Sequence, residues 1–240
     1  MKLRRYGLDA PWVLLTLVLG GAAGLVVQAA MGRRLRSSTP VRAVRGYLGV
    51  SGVSALVQAG YMVVSSLRGK VRLWQEILDD APPPPDARVL ELGPGHGWLL
   101  VEVARRLGPQ GRVTGIDLWR PQDQAGNRRR VTEANLAEAG VADRVRLVDG
   151  DFADLPFDDA SFDLVLANLA VHNLPDPERR AAALTQAARV LRPGGRAVLV
   201  DYTETATYVS VLSDAGLLAR RSGPRLRMWP PVHVVTATKP

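Results

Sequence analysis

The chain has no cysteine among its 240 residues. It therefore has neither a disulfide framework nor a thiolate metal site, and chemistry that needs a cysteine nucleophile is excluded. No other metal site is predicted. The length suits one domain of ordinary size with a smaller segment attached.

Charge is absent from two long stretches near the N-terminus. Residues 11–31 and 47–67 each contain 21 residues without Asp, Glu, Lys or Arg. At about 1.5 Å per residue, a helix of this length just crosses a hydrocarbon core of about 30 Å. Residues 1–70 are therefore predicted to form a membrane anchor, a hydrophobic hairpin of two helices. Small residues at four-residue spacing would let these helices pack closely: Gly20 and Gly24 in the first, and Ser51, Ala55 and Ala59 in the second.

Other arrangements of these two segments stay open. A basic start ahead of an apolar stretch is also typical of a cleavable signal peptide, although no convincing A-x-A site follows. The connecting stretch 33–45 holds five arginines, against the tendency of basic loops to stay in the cytoplasm. A single span followed by a surface helix, or a hairpin within one leaflet, would avoid this conflict. Two spans are favoured, and they place the rest of the chain on the cytoplasmic side of the cell membrane.

Basic charge is concentrated in the same N-terminal region. Residues 1–80 carry a formal charge of +7, whereas residues 81–240 carry only +1. A nucleic-acid partner requires a basic face on the domain that binds it. No nucleic acid is therefore expected as a partner, and the arginine triplet 128–130 is interpreted as a solvated helix face.

Residues 71–86 are predicted to connect the anchor to the larger domain. The apolar positions of residues 71–80 have the spacing of an amphipathic helix, and residues 82–85 are four consecutive prolines. Such a proline run forms a stiff, extended spacer. The domain that follows is assigned to residues 87–240.

The first motif of that domain is the run VLELGPGHGW, at residues 89–98. It predicts a buried strand, a tight turn and a helix over residues 98–107. Glycine lacks a Cβ, so the backbone of such a turn can approach a ligand closely. A dinucleotide site has the spacing G-x-G-x-x-G, but Trp98 occupies the place of its third glycine. The spacing therefore disfavours a nicotinamide oxidoreductase.

Alternating strands and helices follow the glycine turn. The strand 112–117 ends in Asp117, where a carboxylate of a doubly wound sheet faces a ribose. The fold class predicted is an α/β, doubly wound, mostly parallel seven-stranded sheet. Its further elements are expected as a helix over 131–139, strands over 144–148 and 164–167, a helix over 177–191, a turn over 192–195, and strands over 196–200 and 232–238.

The order of these motifs resembles that of class I S-adenosylmethionine-dependent methyltransferases over about 150 residues. The runs GDFADLPFDDASFDLVLAN and ARVLRPGGRAVLVD resemble the branch that contains quinone-biosynthesis and small-molecule methyltransferases. The resemblance implies S-adenosyl-L-methionine as the cofactor. It also implies roles for ten residues: Glu91, Gly93, Pro94, Gly95 and Gly97 at the methionyl part, Asp117 at the ribose, Leu118, Asp151 and Phe152 at the adenine, and Asn168 near the amine.

The acceptor of the methyl group is less clearly indicated. The lack of cysteine excludes thiolate attack on cytosine, and no Asn/Asp-Pro-Pro-aromatic motif for adenine or glutamine follows the fourth strand. His172 follows that strand and is either a general base or a loop residue without a chemical role. The acceptor is expected to contact Gln124, Asn127, Asn173, Arg227 and Trp229. With the anchor, a lipophilic acceptor is predicted: a quinone, an isoprenoid or a lipid head group. A catalytically inactive membrane interaction module and a protein methyltransferase are the alternatives.

Overall fold

The computed structural model describes residues 11–34, 38–120 and 126–240, and these form a helical hairpin and a seven-stranded sheet with its flanking helices. The strands are β1 (Arg88–Leu92), β2 (Arg112–Asp117), β3 (Val145–Asp149), β4 (Phe162–Asn168), β5 (Leu191–Asp201), β6 (Leu218–Arg225) and β7 (Val232–Thr238). The helices are α1 (Pro11–Arg34), α2 (Thr39–Val64), α3 (Lys70–Asp80), α4 (Trp98–Ala104), α5 (Arg129–Ala139), α6 (Pro177–Val190) and α7 (Thr205–Asp214).

The sheet has the order β3-β2-β1-β4-β5-β7-β6, and of these seven strands β7 runs opposite to the other six. The predicted doubly wound, mostly parallel sheet is therefore confirmed. From β1 the chain proceeds outward to β2 and β3, and then returns to place β4 on the other side of β1. The carboxyl ends of β1 and β4 thus flank the crevice at which folds of this type bind ligands.

The central strands are apolar because helices cover both faces of the sheet. Side chains alternate along β1, so Leu90 packs with Leu184 of α6 on one face. On the other face, Val89 packs with Trp74 of α3 and Leu99 of α4. These two hydrophobic clusters hold the ends of the parallel strands in fixed positions beneath the crevice.

The helices α1 and α2 pack antiparallel through glycine. A Cβ on Gly21 would lie 2.9 Å from the carbonyl oxygen of Gly52, and one on Gly52 would lie 2.9 Å from that of Gly21. The prediction that Gly20 makes a close contact between the helices is thus wrong, because Gly20 is exposed and a Cβ there would meet nothing within 4 Å. Its neighbour Gly21 makes that contact instead. Gly24 does face α2, near the carbonyl oxygen of Leu48.

The second apolar segment and the helix expected over 71–80 are not separate elements. Instead, α2 continues through a π-helical turn, Ser65–Gly69, directly into α3. The turn lies against the segment before β7: Ser65 Oγ accepts a 2.7 Å hydrogen bond from the backbone N–H of Trp229, and a Cβ on Gly69 would collide with the carbonyl oxygen of Arg227. One helical rod therefore runs from the hairpin to the sheet.

Three features of the C-terminal half differ from expectation or were not anticipated. The turn expected over 192–195 lies inside β5 as an irregularity, since Phe162 pairs with Leu191 whereas Leu164 pairs with Arg196. Neither α7 nor β6 is among the elements predicted from the sequence. Both pack at the edge of the sheet, where α7 contributes the buried side chains of Tyr208 and Leu212.

Candidate active site

A cavity of about 730 Å³ opens at the carboxyl ends of β1, β2 and β4. This volume is in the range of cofactor and small-molecule sites, about 300–1,000 Å³. Eight of the ten residues predicted to bind the cofactor line it: Glu91, Gly93, Pro94, Gly95, Asp117, Leu118, Phe152 and Asn168. Four of the residues predicted to face the acceptor line it as well: Asn127, His172, Asn173 and Trp229.

The glycine turn has the tight backbone that its sequence predicts. Gly93 has a φ of +65°, and a Cβ there would lie 2.8 Å from Cβ of Ala170. Two side chains of α5 hold the turn from behind: Thr132 Oγ1 donates a 2.6 Å hydrogen bond to the carbonyl of Gly95, and Asn135 Nδ2 donates a 2.9 Å hydrogen bond to that of His96. The turn is therefore a fixed backbone wall of the cavity, and it was not apparent from the sequence that α5 would support it.

Glu91 contributes a buried carboxylate to this wall. Burial raises the pKa of Glu91 well above its usual range, the nearby charge of Asp117 raises it further, and a hydrogen bond from the backbone N–H of Leu100 offsets part of the rise. Among the described residues, Oε2 of Glu91 has no hydrogen-bond partner. A buried acceptor without a partner is costly, and a cationic group of a ligand would satisfy this one.

Asp117, at the end of β2, is also buried, and its burial raises its pKa. Its Oδ2 accepts a 3.0 Å hydrogen bond from the backbone N–H of Gly95 and its Oδ1 a 2.6 Å bond from that of Trp119. Both bonds lower the pKa and partly offset the effect of burial. Since two carboxylate oxygens offer about four acceptor positions, Asp117 can hold the turn and still accept bonds from a ligand.

The remaining predicted residues lie elsewhere. Gly97 caps α4 and packs against Thr132, whereas Asp151 accepts a 2.8 Å hydrogen bond from the backbone N–H of Ala153 and pairs with Arg179. Neither Gly97 nor Asp151 is among the residues that line the cavity. Arg227 pairs with Glu76 at the surface, and Gln124 lies outside the described residues. The roles of these four stay predictions.

A histidine and an acid meet at the far side of the cavity. Nδ1 of His172 lies 2.8 Å from Oδ1 of Asp201, the buried last residue of β5. Oδ2 of Asp201 accepts a 3.1 Å hydrogen bond from the hydroxyl of Tyr208. The ring of Tyr202 lies 4.7 Å from that of His172 and also faces the cavity. Asp201 is not among the site residues predicted from the sequence, because its only signal is an acid at the end of a central strand.

Comparisons with known proteins agree with this geometry. Residues 90–199 match the family model described as a methyltransferase domain. Solved structures share the fold, among them a SAM-dependent methyltransferase from Aquifex aeolicus, with a TM-score of 0.56 and 18% identity over 68% of this chain and 88% of that one. This part of the chain is therefore similar to a methyltransferase domain both in sequence and in fold. The nicotinamide alternative, already disfavoured by the glycine spacing, is not supported by this match.

Curated relatives of this methyltransferase domain include enzymes named for quinone biosynthesis. A ubiquinone/menaquinone biosynthesis C-methyltransferase from Idiomarina loihiensis is 30% identical over 158 residues, which cover 65% of this chain and 59% of that protein. A demethylmenaquinone methyltransferase from Lactiplantibacillus plantarum is 36% identical over 119 residues, covering 50% and 46%. The chain thus spans about half the length of these relatives.

The methyltransferase family implies S-adenosylmethionine as the cofactor, and the residues of the cavity fit it. The unpartnered Oε2 of Glu91 would accept from the ammonium of the methionyl part, and Asp117 would accept from the ribose. Leu118 and Phe152 offer apolar contacts for the adenine. When bound, the cofactor supplies a methyl group activated by the adjoining sulfonium.

Proposed function

We propose that this protein is a membrane-anchored methyltransferase that transfers the methyl group of S-adenosylmethionine to a small lipophilic acceptor. The observation that carries the proposal is the composition of the cavity wall. Besides the methyltransferase residues, the wall contains Trp12, Val13 and Leu17 of α1 and Met62 of α2. The same cavity thus contacts the cofactor site and the apolar hairpin.

The hairpin has the properties of a membrane anchor. Both the helix Trp12–Arg33 and the helix Thr39–Asp80 are long and apolar enough to span a bilayer. Large apolar side chains on the hairpin point away from the protein, including Leu19, 60% exposed, and Val50, 74% exposed. An exposed apolar surface of this kind favours contact with lipid. We place the hairpin in the cell membrane and the methyltransferase domain on its cytoplasmic side, where the cofactor is available.

The antiparallel hairpin accounts for where an acceptor would enter. The first turns of α1 and the last turns of α2 lie at the same end of the hairpin, next to the methyltransferase domain, and these are the turns that line the cavity. A molecule that leaves the bilayer at this level reaches the cavity without crossing bulk water. Its apolar tail would contact Leu17 and Met62, and its polar end would face His172 and Asn173.

The names of the curated relatives favour the same class of acceptor. An isoprenoid quinone precursor has a polar ring and a long apolar tail, and a lipid head group on its chains has the same two-part character. Both fit a cavity whose two ends differ in this way. A soluble protein substrate does not account for the apolar wall that the hairpin contributes.

Within this function His172 is proposed as the general base. Oδ1 of Asp201 lies 2.8 Å from Nδ1, although the two are not aligned as a hydrogen bond in this structure. A rotation of the imidazole ring would let Asp201 hold the proton on Nδ1 and leave Nε2 to accept one. As the methyl group passes from the sulfonium sulfur, which would leave as a neutral thioether, to the acceptor atom, the proton of that atom would pass to Nε2 of His172. The buried position of Asp201 and its bond from Tyr208 keep the carboxylate oriented toward the ring.

Labelled methyl transfer tests the proposed function directly. The full chain, in liposomes made from a bacterial lipid extract, is supplied with S-adenosylmethionine labelled on the methyl group. We expect the label in the organic phase, on an amphiphilic product. Label on protein would support a protein methyltransferase instead, and cofactor binding without any transfer would support an inactive interaction module.

A further inference from the structure

An exposed basic loop lies beside the base of the hairpin. It connects β6 to β7 over residues 226–231, and its first residue, Leu226, is 65% exposed between Arg225 and Arg227. Residues 218–231 contain four arginines and neither Asp nor Glu. A single exposed leucine is ordinary on a protein surface, so its surroundings have to show whether it has a partner.

Successive turns of the helical rod hold this loop from one side. The ring of Tyr61 lies 5.7 Å from that of Trp229, whose backbone N–H donates the 2.7 Å hydrogen bond to Ser65. Further along the rod, Glu76 pairs with Arg227. The loop therefore has a fixed position against the helix that continues from the hairpin.

These contacts lie where the uncharged part of the hairpin ends. Residues 47–67 carry no charge and Arg68 follows them, so in the proposed function the surface of the bilayer lies at this level. Trp12 and Tyr61 are both exposed at the same end of the hairpin. Tryptophan and tyrosine are enriched where a protein passes from lipid into water. The β6–β7 loop is therefore placed at the level of the lipid head groups.

The two parts of the loop segment have different surroundings. Met228 and Trp229 line the cavity, and Met228 is 2% exposed. Arg225 and Leu226 do not line it and are exposed. Among the described residues, no hydrogen bond or ion pair involves the Arg225 side chain. A guanidinium can bind a phosphate through two parallel hydrogen bonds, and a neighbouring apolar side chain can enter the boundary between head groups and acyl chains.

We propose that the β6–β7 loop is a second membrane contact, in which Arg225 binds the phosphate of an anionic phospholipid and Leu226 enters the lipid beside it. The contact would hold the cavity toward the bilayer, because the next residues of the loop form part of the cavity wall. This inference rests on the membrane-anchored function proposed above, and not on the identity of the acceptor.

The absence of cysteine from the chain allows a test with single labels. Leu226→Cys, Leu218→Cys and Leu19→Cys each receive an environment-sensitive fluorophore, and the full chain is placed in phosphatidylcholine vesicles with or without phosphatidylglycerol. Quenching is measured with a lipid whose nitroxide lies just below the head group, and for Leu19 with one whose nitroxide lies deeper. Leu218 is the matched control, because it is 73% exposed on the same strand but pairs with Thr238, at the end of the sheet opposite to the cavity.

We expect strong quenching of the label at position 226, more in the anionic vesicles, and weak quenching of the label at 218. Added to the Leu226→Cys protein, Arg225→Gln should lower the ratio of docked to free loop about fivefold in anionic vesicles, the contribution of one arginine at such a surface. Arg220→Gln changes an exposed arginine five strand residues earlier, roughly 16 Å away. It should have little effect, since salt at physiological concentration screens charges beyond about 8 Å.

The labels distinguish failure of the loop contact from failure of the anchor. Quenching at 226 no stronger than at 218, with the label at 19 quenched, would overturn the loop contact and leave the anchor in place. A shifted emission at 226 without quenching would mean that protein, such as a second copy of the chain, covers the loop instead. Equal quenching in both kinds of vesicle, unchanged by Arg225→Gln, would overturn the role of the anionic lipid. If the label at 19 is not quenched, the anchor is wrong, and quenching at 226 alone decides the loop contact.

Discussion

The indole Nε1 of Trp74 donates a 2.8 Å hydrogen bond to Oδ1 of Asn168, which lies 94 residues later in the chain. Trp74 belongs to the helical rod that begins in the hairpin, and Asn168 ends a central strand at the cofactor crevice. The bond therefore joins the helical rod to the edge of the sheet at which the cavity opens. The helix that continues from the hairpin thus makes a direct contact with a residue of the cavity wall.

The first prediction concerns the apolar wall of the cavity. Leu17 lines the cavity, whereas Leu19, two residues further along α1, is 60% exposed and points away from it. Leu17→Trp should fill the space for the tail and raise the KM for a long-chain acceptor by roughly fivefold or more, the effect of about 1 kcal/mol. Leu19→Trp is the matched control and should leave the KM unchanged.

The KM of each variant is measured in liposomes with a long-chain and a short-chain acceptor. The short-chain acceptor should be insensitive to Leu17→Trp because it lacks the part that meets the hairpin. An equal rise for both chain lengths, or an equal effect of both tryptophans, would contradict the proposed position of the tail.

The second prediction follows from the raised pKa of Glu91. In the free protein Glu91 holds its proton to a higher pH than an exposed glutamate does. A ligand ammonium favours the ionised form, so binding should release a proton, and affinity should increase as pH rises through the raised pKa. Above that pKa the carboxylate is already ionised, and affinity should become independent of pH.

Calorimetric titrations with S-adenosylhomocysteine in two buffers of different ionisation enthalpy measure this proton release. Glu91→Gln should bind more weakly and should release no proton, because the amide does not titrate. Proton uptake on binding, or a release that persists in Glu91→Gln, would mean that Glu91 does not meet the ammonium.

The third prediction separates Asp117 from a neighbouring acid. Asp117 and Asp149 are paired at the ends of adjacent strands, but only Asp117 lines the cavity. Asp117→Ala should lose hydrogen bonds to the ribose worth roughly 1.5–3 kcal/mol each, lowering affinity for S-adenosylhomocysteine at least tenfold. Asp149→Ala should retain full affinity. Comparable losses in both variants, with thermal unfolding of each as the check on folding, would remove Asp117 from the ribose site.

The sequence predicted the parts of the site that are local in the chain. The glycine turn and Asp117 could be identified because each depends on a short motif at the end of one strand. The wall formed by Leu17 and Met62 could not be predicted, because it arises only when two helices distant in the chain come to line the same cavity as Glu91. Asp201 was missed for the same reason, since its partner His172 lies 29 residues earlier.

The misplaced elements have a related cause. The segment TATYVSVLSD, at residues 205–214, is rich in β-branched residues, which favour strands. It is nevertheless helical because Tyr208 and Leu212 pack against the core cluster next to α6 and β5. The strand β6 is exposed along its length and carries arginines in place of an alternating apolar pattern. Tertiary packing determines the secondary structure of both α7 and β6, and neither has a local sequence pattern that predicts it.

The last prediction concerns His172 and Asp201. If His172 is the base, His172→Asn should lower kcat by about 10²–10⁴, the usual contribution of a general base, and leave affinity for S-adenosylhomocysteine unchanged. Asp201→Asn should lower kcat as well, because an amide can present the wrong group to Nδ1 and reverse the arrangement of protons on the ring. Tyr208→Phe keeps both residues and removes only the 3.1 Å hydrogen bond to Asp201, so its effect should be much smaller.

The kcat values of these three variants are compared with the thermal unfolding of each variant. A loss of activity that tracks the loss of stability across all three variants would assign His172 to the structure of its loop, whereas low kcat in stable His172→Asn and Asp201→Asn proteins would establish the pair as the base and its positioning residue.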